Sequence, residues 1–249
     1  MLYAVFIFLF GLIIGSFLNV VIYRLPRGES VVGPFSFCPL CGRRLRAYDL
    51  VPVLSYLWLK GRCRYCQGVI SPLYPLVEAL TGVLFLLIYI QYGVSFTSLS
   101  GMVLVSFLLP ASFIDIEHGI IPDKITYTGF MAGIVLSFFT IGFKSAFLGG
   151  LVFSLFYLVI ALVSRGGMGG GDVKLAALIG SFVGLEGILA VFIISSLAGG
   201  IFALMLLLTG RGNRRTEIKF GPFLAFSAYL VWMYGSDIIN LYWLMWRGM

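Results

Sequence analysis

Ser112-Phe113-Ile114-Asp115-Ile116-Glu117-His118-Gly119-Ile120-Ile121-Pro122-Asp123 closes a run, residues 79–114, that carries no charged side chain. About 20 helical residues cross the hydrocarbon core of a bilayer, so this run holds two spans, broken near Tyr92-Gly93-Val94-Ser95. Further charge-free runs cover residues 2–23, 125–143, 145–164, 175–185, 187–210 and 220–236. Of the 249 residues, 60% are apolar and 11% charged, whereas about a quarter of the residues of a soluble domain are charged. An ordinary soluble domain is excluded, and an all-α polytopic membrane protein is expected. The count reaches eight transmembrane helices if 175–210 is a pair. The basic turns at 165–174 and 211–219 should share one side, so an even number of crossings lies between them. The sixth helix is then short, beginning near Asp172 and ending before Glu186.

The net charge of +7 does not require a nucleic acid. With the amino terminus outside, every Lys and Arg except Lys144 and Arg247 falls on the inner side, as the positive-inside rule demands. The partner of this basic face is the bilayer and its anionic headgroups. The first apolar run carries its charges after it, at Arg24 and Arg27. A secretory signal carries them before, so residues 1–23 are expected to be a retained first transmembrane helix.

One polar stretch, residues 24–71, is long enough to form a domain between helices 1 and 2. It has too few apolar residues for an adequate core and therefore needs a staple. All four cysteines lie in it, as Cys38-Pro39-Leu40-Cys41 and Cys63-Arg64-Tyr65-Cys66. Two such knuckles at this separation match a four-thiolate zinc site. Arg43, Arg44, Arg62 and Arg64 are expected to favour thiolate. Two disulfides or redox-active dithiols are the alternatives, disfavoured by the reducing cytosol in which the topology places the loop. A full sulfur shell leaves no position for water, so such a metal would fold the loop and not catalyse. Residues 72–249 form the remaining helical bundle.

Acids at a membrane boundary are costly, by about 2.5–3.5 kcal/mol on insertion scales, and signal function by default. Asp115 ends the third span and Asp172 opens the sixth, on the same side. Paired carboxylates share one proton because like charges close together cannot both ionise cheaply; the ionised member can then activate water while the neutral one polarises a peptide carbonyl. Gly169 and Gly171, in Gly169-Gly170-Gly171-Asp172, would let backbone approach a peptide and adopt positive φ. A flexible turn with Asp172 in the first helical turn is the plainer reading. Lys174 lacks the context of a phosphate-binding loop. His118 is the only histidine, which excludes a histidine-based triad.

The pair Asp115-Ile116-Glu117-x2-Ile120-Ile121-Pro122-Asp123 and Gly169-x-Gly171-Asp172 resembles the motifs of type IV prepilin peptidases, membrane aspartyl proteases of the Gly-x-Gly-Asp class. The amino-terminal half is similar too, through Gly15-Ser16-Phe17-Leu18-Asn19-Val20-Val21, Tyr23-Arg24-Leu25-Pro26, the two knuckles and Pro75-x-Val77-Glu78. The resemblance implies a bifunctional enzyme of the bacterial inner membrane. It would cut the basic leader from prepilins or pseudopilins at the cytosolic face, leaving their apolar amino-terminal helix, and then methylate the new amine with S-adenosylmethionine. Asp115 and Asp172 would be the catalytic dyad. Asp123 matches the family's Pro-Asp position, with an N-cap of the fourth helix as the alternative. Methylation is associated with the amino-terminal half, where no dinucleotide-type glycine fingerprint occurs. Gly61 and Arg24 are candidate contacts for the methyl donor or substrate; the alternatives are a loop turn and a positive-inside anchor. Glu78 is a candidate for recognising the substrate amine, or else an interfacial acid facing water. Tyr56, Trp58 and Tyr65 either pack the loop's small core or touch the membrane, and Trp232, Trp243 and Trp246 are expected in belts and packing. Rival readings are a peptidase without methylation, and a non-catalytic scaffold or transporter with a zinc ribbon, which gives no reason for two acids beside a glycine turn.

Overall fold

The computed structural model describes residues 2–33, 35–164, 168–210 and 218–247, with side chains up to residue 235. Arg165, Arg211, Arg214 and Arg215, assigned above to the inner side, lie outside the described residues, as do the side chains of Trp243, Trp246 and Arg247. The elements are α1 (Leu2–Arg24), α2 (Leu54–Trp58), α3 (Leu73–Tyr92), α4 (Phe96–His118), α5 (Asp123–Ser137), α6 (Phe143–Val163), α7 (Gly170–Leu208) and α8 (Gly221–Arg247). Among the described residues the only β pairing is two isolated bridges, Phe37 with Arg44 and Arg62 with Val69. Among the described residues, five helices, α1, α3, α4, α6 and α7, are long and apolar enough to cross a membrane. The chain is an all-α, multi-pass membrane protein, built as two compact units, residues 1–98 and 99–249.

In the first unit, α1 lies against α3 with almost no side chain between them. A Cβ on Gly11 would fall 2.7 Å from the Cα of Gly82, and one on Gly15 would fall 2.6 Å from the Cα of Glu78. Lipid chains are as apolar as leucine, so membrane helices gain little by hiding apolar surface and associate by close van der Waals contact at small residues. Asn19 adds a polar tie by donating its Nδ2 to the Tyr74 carbonyl at 3.0 Å. Helix α3 ends at Tyr92, within the break anticipated from the sequence, and α4 begins at Phe96.

In the second unit, α4 runs past Asp115 to His118 and stops because Gly119 takes a left-handed conformation (φ +67°), its N–H bonding the Asp115 carbonyl at 2.8 Å. Asp115 therefore occupies the last helical turn. Helices α6 and α7 meet at glycines: a Cβ on Gly149 would lie 2.5 Å from the Gly180 carbonyl oxygen and 2.7 Å from the Gly184 carbonyl carbon. The two runs expected as the sixth and seventh helices form α7, 39 residues interrupted once, at Gly184 (φ 70°, ψ −179°). The interruption falls two residues before Glu186, at the residue without a Cβ. The Leu185 N–H there bonds the Ser145 hydroxyl of α6 at 3.4 Å.

Gly149→Ala should destabilise the second unit by about 1–3 kcal/mol, because its Cβ meets backbone that cannot rotate away. Gly200→Ala, on the same α7 but facing open space, should leave stability unchanged. Unfolding of purified protein in detergent, followed by circular dichroism, compares the two.

Candidate functional site

Asp115 and Asp172 lie within electrostatic range of each other in the second unit. They are 6% and 8% exposed, and their charges interact. Asp115 is held by α8, whose first residue, Gly221, donates its backbone N–H to Asp115 Oδ2 at 3.0 Å. The first N–H groups of a helix have no partner within it and suit a carboxylate. A Cβ at Gly221 would lie 2.8 Å from the same oxygen, so glycine here lets α8 begin this close to the Asp115 carboxylate. Lys219, two residues earlier, exerts its charge on Asp115, and its ammonium rests against Gly119. On the other side, Asp172 stands in the first turn of α7, its N–H on the Gly169 carbonyl at 3.1 Å. The buried Tyr157 of α6 lies within electrostatic range of Asp172 and reaches the Ser195 hydroxyl at 3.5 Å.

The glycines before Asp172 act differently from expectation. Gly169 is extended (φ −71°, ψ 142°), and none of Gly169, Gly170 and Gly171 has a positive φ. At Gly171 the requirement is the missing Cβ, which would lie 3.1 Å from the Ile121 Cβ and 3.4 Å from its backbone nitrogen. The start of α7 thereby closes on the turn that follows Asp115. Asp123 is not an N-cap: Pro122 holds that position, and Asp123 is the first residue of α5. Its carboxylate pairs with Lys174 at 2.5 Å, with both side chains partly exposed, so it joins α5 to α7 at the margin of the dyad. His118 is exposed.

The sequence reading missed Gly221, Lys219 and Tyr157. Gly221-Pro222 opening an apolar run was a legible helix start. That its free N–H meets an acid 106 residues earlier was not.

The four cysteines of the first unit form a cluster whose sulfurs all lie within 4.8 Å of one another. The two knuckles share one geometry. Cys38 and Cys63 each accept an N–H bond from a residue four positions on, Gly42 at 2.8 Å and Gln67 at 2.9 Å, and both acceptor turns need positive φ there (68° and 57°). Cys38 and Cys63 are buried, Cys41 and Cys66 exposed. Burial pushes the Cys63 thiol up, but the backbone N–H groups of Cys66 and Tyr65 bring it down to about 7. Three of the four arginines expected to favour thiolate are engaged elsewhere: Arg43 over the Tyr65 ring, Arg44 over Phe35, and Arg64 on Asp49.

Asp49 is the polar pin of this loop. Its Oδ1 accepts from Arg64 Nε at 2.7 Å, and its Oδ2 from the Arg46 N–H at 3.2 Å and the Tyr65 hydroxyl at 3.3 Å. Burial would raise its carboxyl, yet these donors outweigh it and hold Asp49 below the usual carboxylate range. A depressed folded value adds stability in full above about pH 4, where the unfolded side chain is ionised, and loses it only as pH falls through the lower folded value.

Between the loop and the ends of α1 and α3 lies a cavity of about 580 Å³, bounded by Asn19 and Arg24 of α1, Asp49 and Tyr56 of the loop, and Tyr74 and Glu78 of α3. Arg24 is 4% exposed and donates to the carbonyls of Ser30 (3.0 Å) and Phe35 (3.4 Å), so it shapes the cavity wall and orders the loop. Gly61 stands outside the lining. It has φ +69° and carries Tyr56 over it, a Cβ there falling 2.9 Å from the Tyr56 hydroxyl. Glu78 is not an interfacial acid facing water: it is 8% exposed and accepts the Val53 N–H at 2.7 Å. Among the loop aromatics, Tyr56 and Tyr65 are half-buried, while Trp58 is 86% exposed. Trp232 rests its ring on Gly101.

The comparisons with known proteins divide the chain as the two units do. The Bacterial Peptidase A24 N-terminal domain profile matches residues 9–92, and that of the Type IV leader peptidase family matches residues 102–204. Similar chains include the prepilin leader peptidase/N-methyltransferase of Myxococcus xanthus, 43% identical over 87% of this chain and 67% of the relative. The protein of the same name from Bacillus subtilis is 37% identical over 95% of this chain and 96% of its own, and that from Neisseria gonorrhoeae is 35% identical over 92% and 89%. No solved structure matches. With both profiles satisfied in order, and relatives aligned almost end to end, this chain belongs to the type IV leader peptidase family.

Proposed function

We propose that this protein removes the basic leader of type IV prepilins or pseudopilins with Asp115 and Asp172 and then N-methylates the new amino terminus. One observation carries the peptidase half: two buried carboxylates from α4 and α7 interact beside a helix start, within the unit that the leader peptidase profile matches. One carboxylate takes a proton from water; the other, holding the proton that the pair shares, polarises the scissile carbonyl. The Gly221 N–H keeps Asp115 aimed, and Gly169 and Gly171 bring the start of α7 against Ile121. Asp123 and Lys174 brace that junction.

The membrane arrangement consistent with this is eight spans: α1, α3, α4, α5, α6, the two halves of α7 on either side of Gly184, and α8. The amino terminus lies outside, and the cysteine loop (24–71) and the dyad lie at the cytosolic face of a bacterial inner membrane. Bilayer and prepilin are then the partners, the substrate's apolar helix staying in lipid while its basic leader reaches the dyad.

The cysteine cluster fits zinc. Four thiolates at about 2.3 Å around a tetrahedral ion stand about 3.8 Å apart, and Cys38 and Cys66 sulfurs are 3.9 Å apart. Cys38, Cys41, Cys63 and Cys66 would complete its shell, and the ion would hold the loop over the cavity. The cavity fits S-adenosylmethionine in size, since small-molecule sites occupy about 300–1,000 Å³. Its tyrosine rings suit a sulfonium cation. When bound there, the cofactor supplies an electrophilic methyl group. Arg24 and Tyr56, the latter held by Gly61, form the walls that orient substrate and exclude water.

Asp115→Asn and Asp172→Asn should each cut leader cleavage of a synthetic prepilin by about 100-fold or more, with the thermal unfolding of the protein retained; near-normal cleavage by either variant refutes the dyad. Wild-type protein should carry about one zinc per chain by elemental analysis, given a single four-sulfur site. Cys38→Ser should lose that zinc and lose methylation, read by mass spectrometry of the product's amino terminus, more than cleavage. Equal metal in both proteins counts against the site.

A further inference from the structure

Glu78 is a buried acid that peptide cleavage does not use. It lies on α3 in the first unit, fixed by the tightest backbone contact of that unit: Gly15 of α1 stands directly over its Cα. Its carboxyl accepts the Val53 N–H at Oε2 and a hydrogen bond from the Ser16 hydroxyl. Both donors are neutral, and none of the ion pairs among the described residues includes it. An ionised carboxylate offers about four acceptor positions, so capacity is left for a cation.

Asp49 lines the same cavity, but Arg64, Arg46 and Tyr65 already occupy its oxygens; Glu78 is the cavity acid with acceptor positions to spare. The clip on Glu78 is also strained. Val53 is β-branched, yet adopts φ +61° to present its N–H, a conformation such residues avoid and that accumulates where geometry serves a site. A purely structural clip has no need of a charge, because a neutral amide oxygen accepts an N–H as well.

We propose that Glu78 receives the α-amine of the trimmed substrate, docking it as an ammonium and accepting its proton before methyl transfer. The proposal rests on the methyl-transfer reading above. The amine's N–H proton passes to the Glu78 carboxylate. The freed lone pair forms the new N–C bond to the methyl carbon as the C–S bond of the sulfonium donor breaks, its electron pair returning to sulfur. The products are a methylated ammonium and a neutral thioether, and Glu78 releases its proton to water.

The test uses full-length protein in lipid nanodiscs, with a leader-free peptide bearing a free amine and its N-acetylated twin. In the presence of S-adenosylhomocysteine, wild type should bind the free-amine peptide about tenfold or more tightly than the twin, as a charge-assisted hydrogen bond requires. Glu78→Gln keeps an acceptor for Val53. It should abolish this preference and slow methylation by about 100-fold or more, with S-adenosylhomocysteine affinity and leader cleavage retained. Equal binding of the two peptides by wild type, or methylation at the wild-type rate by Glu78→Gln, overturns the proposal. If Glu78→Gln loses S-adenosylhomocysteine binding through misfolding, the wild-type peptide comparison decides alone. Absence of methylation by wild type would refute the methyl-transfer reading, while the same binding comparison still reads the role of Glu78.

Discussion

A bilayer interior offers neither water for polar groups nor a hydrophobic drive to push helices together. The rest of this structure follows from that constraint. Helices that gain nothing by hiding leucine must touch backbone to backbone, and here they do so at Gly11, Gly15, Gly149 and Gly180. These contacts place the acids. Gly15 positions Glu78 on α3, the glycines between α6 and α7 set the line of α7, and Gly171 lets the first turn of α7 bring Asp172 against the turn beyond Asp115. The carboxylates are then satisfied by what remains available in such surroundings: backbone N–H groups at strained or uncapped positions, from Gly221 and Val53.

The two units meet the same constraint by different means. The second, among its described residues, is helices joined by short turns and buries Asp115 and Asp172 within the bundle. The first must hold a polar loop that cannot bury a core of its own, and it does so with a cluster of four sulfurs and one thoroughly bonded aspartate. Asp49 and the cysteines tie the knuckles together. Arg24 ties the loop's beginning to α1, and Glu78 ties the start of α2 to α3. The enclosed space is a mostly apolar cavity with a few polar groups set in its wall, Asn19, Arg24, Asp49 and Glu78 among them, suited to a ligand that is partly charged. Asp115 and Asp172 thus lie in the stretch that one profile matches, and Asp49, Glu78 and the four cysteines in the stretch that the other matches.

Much of this was legible in the sequence because charge is rare in it. An acid that interrupts an apolar run, as Asp115 and Asp172 do, stands out against a background with 11% charged residues. Cysteine pairs with two residues between them state their own geometry. The role of the glycines was legible only in part: their presence suggested unusual torsions, whereas at Gly171 the deciding property is the absence of a side chain. Of the two readings of Asp123 the cap fails, because Pro122, with its extended torsion, ends the turn first and leaves Asp123 as a first-turn acid paired with Lys174. Asp49, the most heavily bonded acid of the loop, gave no signal, since an aspartate in a polar segment is unremarkable until its partners are known.

By itself the sequence determined the class, the helical runs, the acids beside glycine turns and the paired cysteine knuckles, since each is written in hydropathy or in spacing over a few residues. Only the tertiary structure decided which backbone amides hold the acids, that the loop encloses a cavity with α1 and α3, and that Glu78 and Asp49 share it with different bonding. Those contacts join residues far apart in the chain, Gly221 to Asp115 and Val53 to Glu78. They depend on where helices cross, which no local pattern encodes.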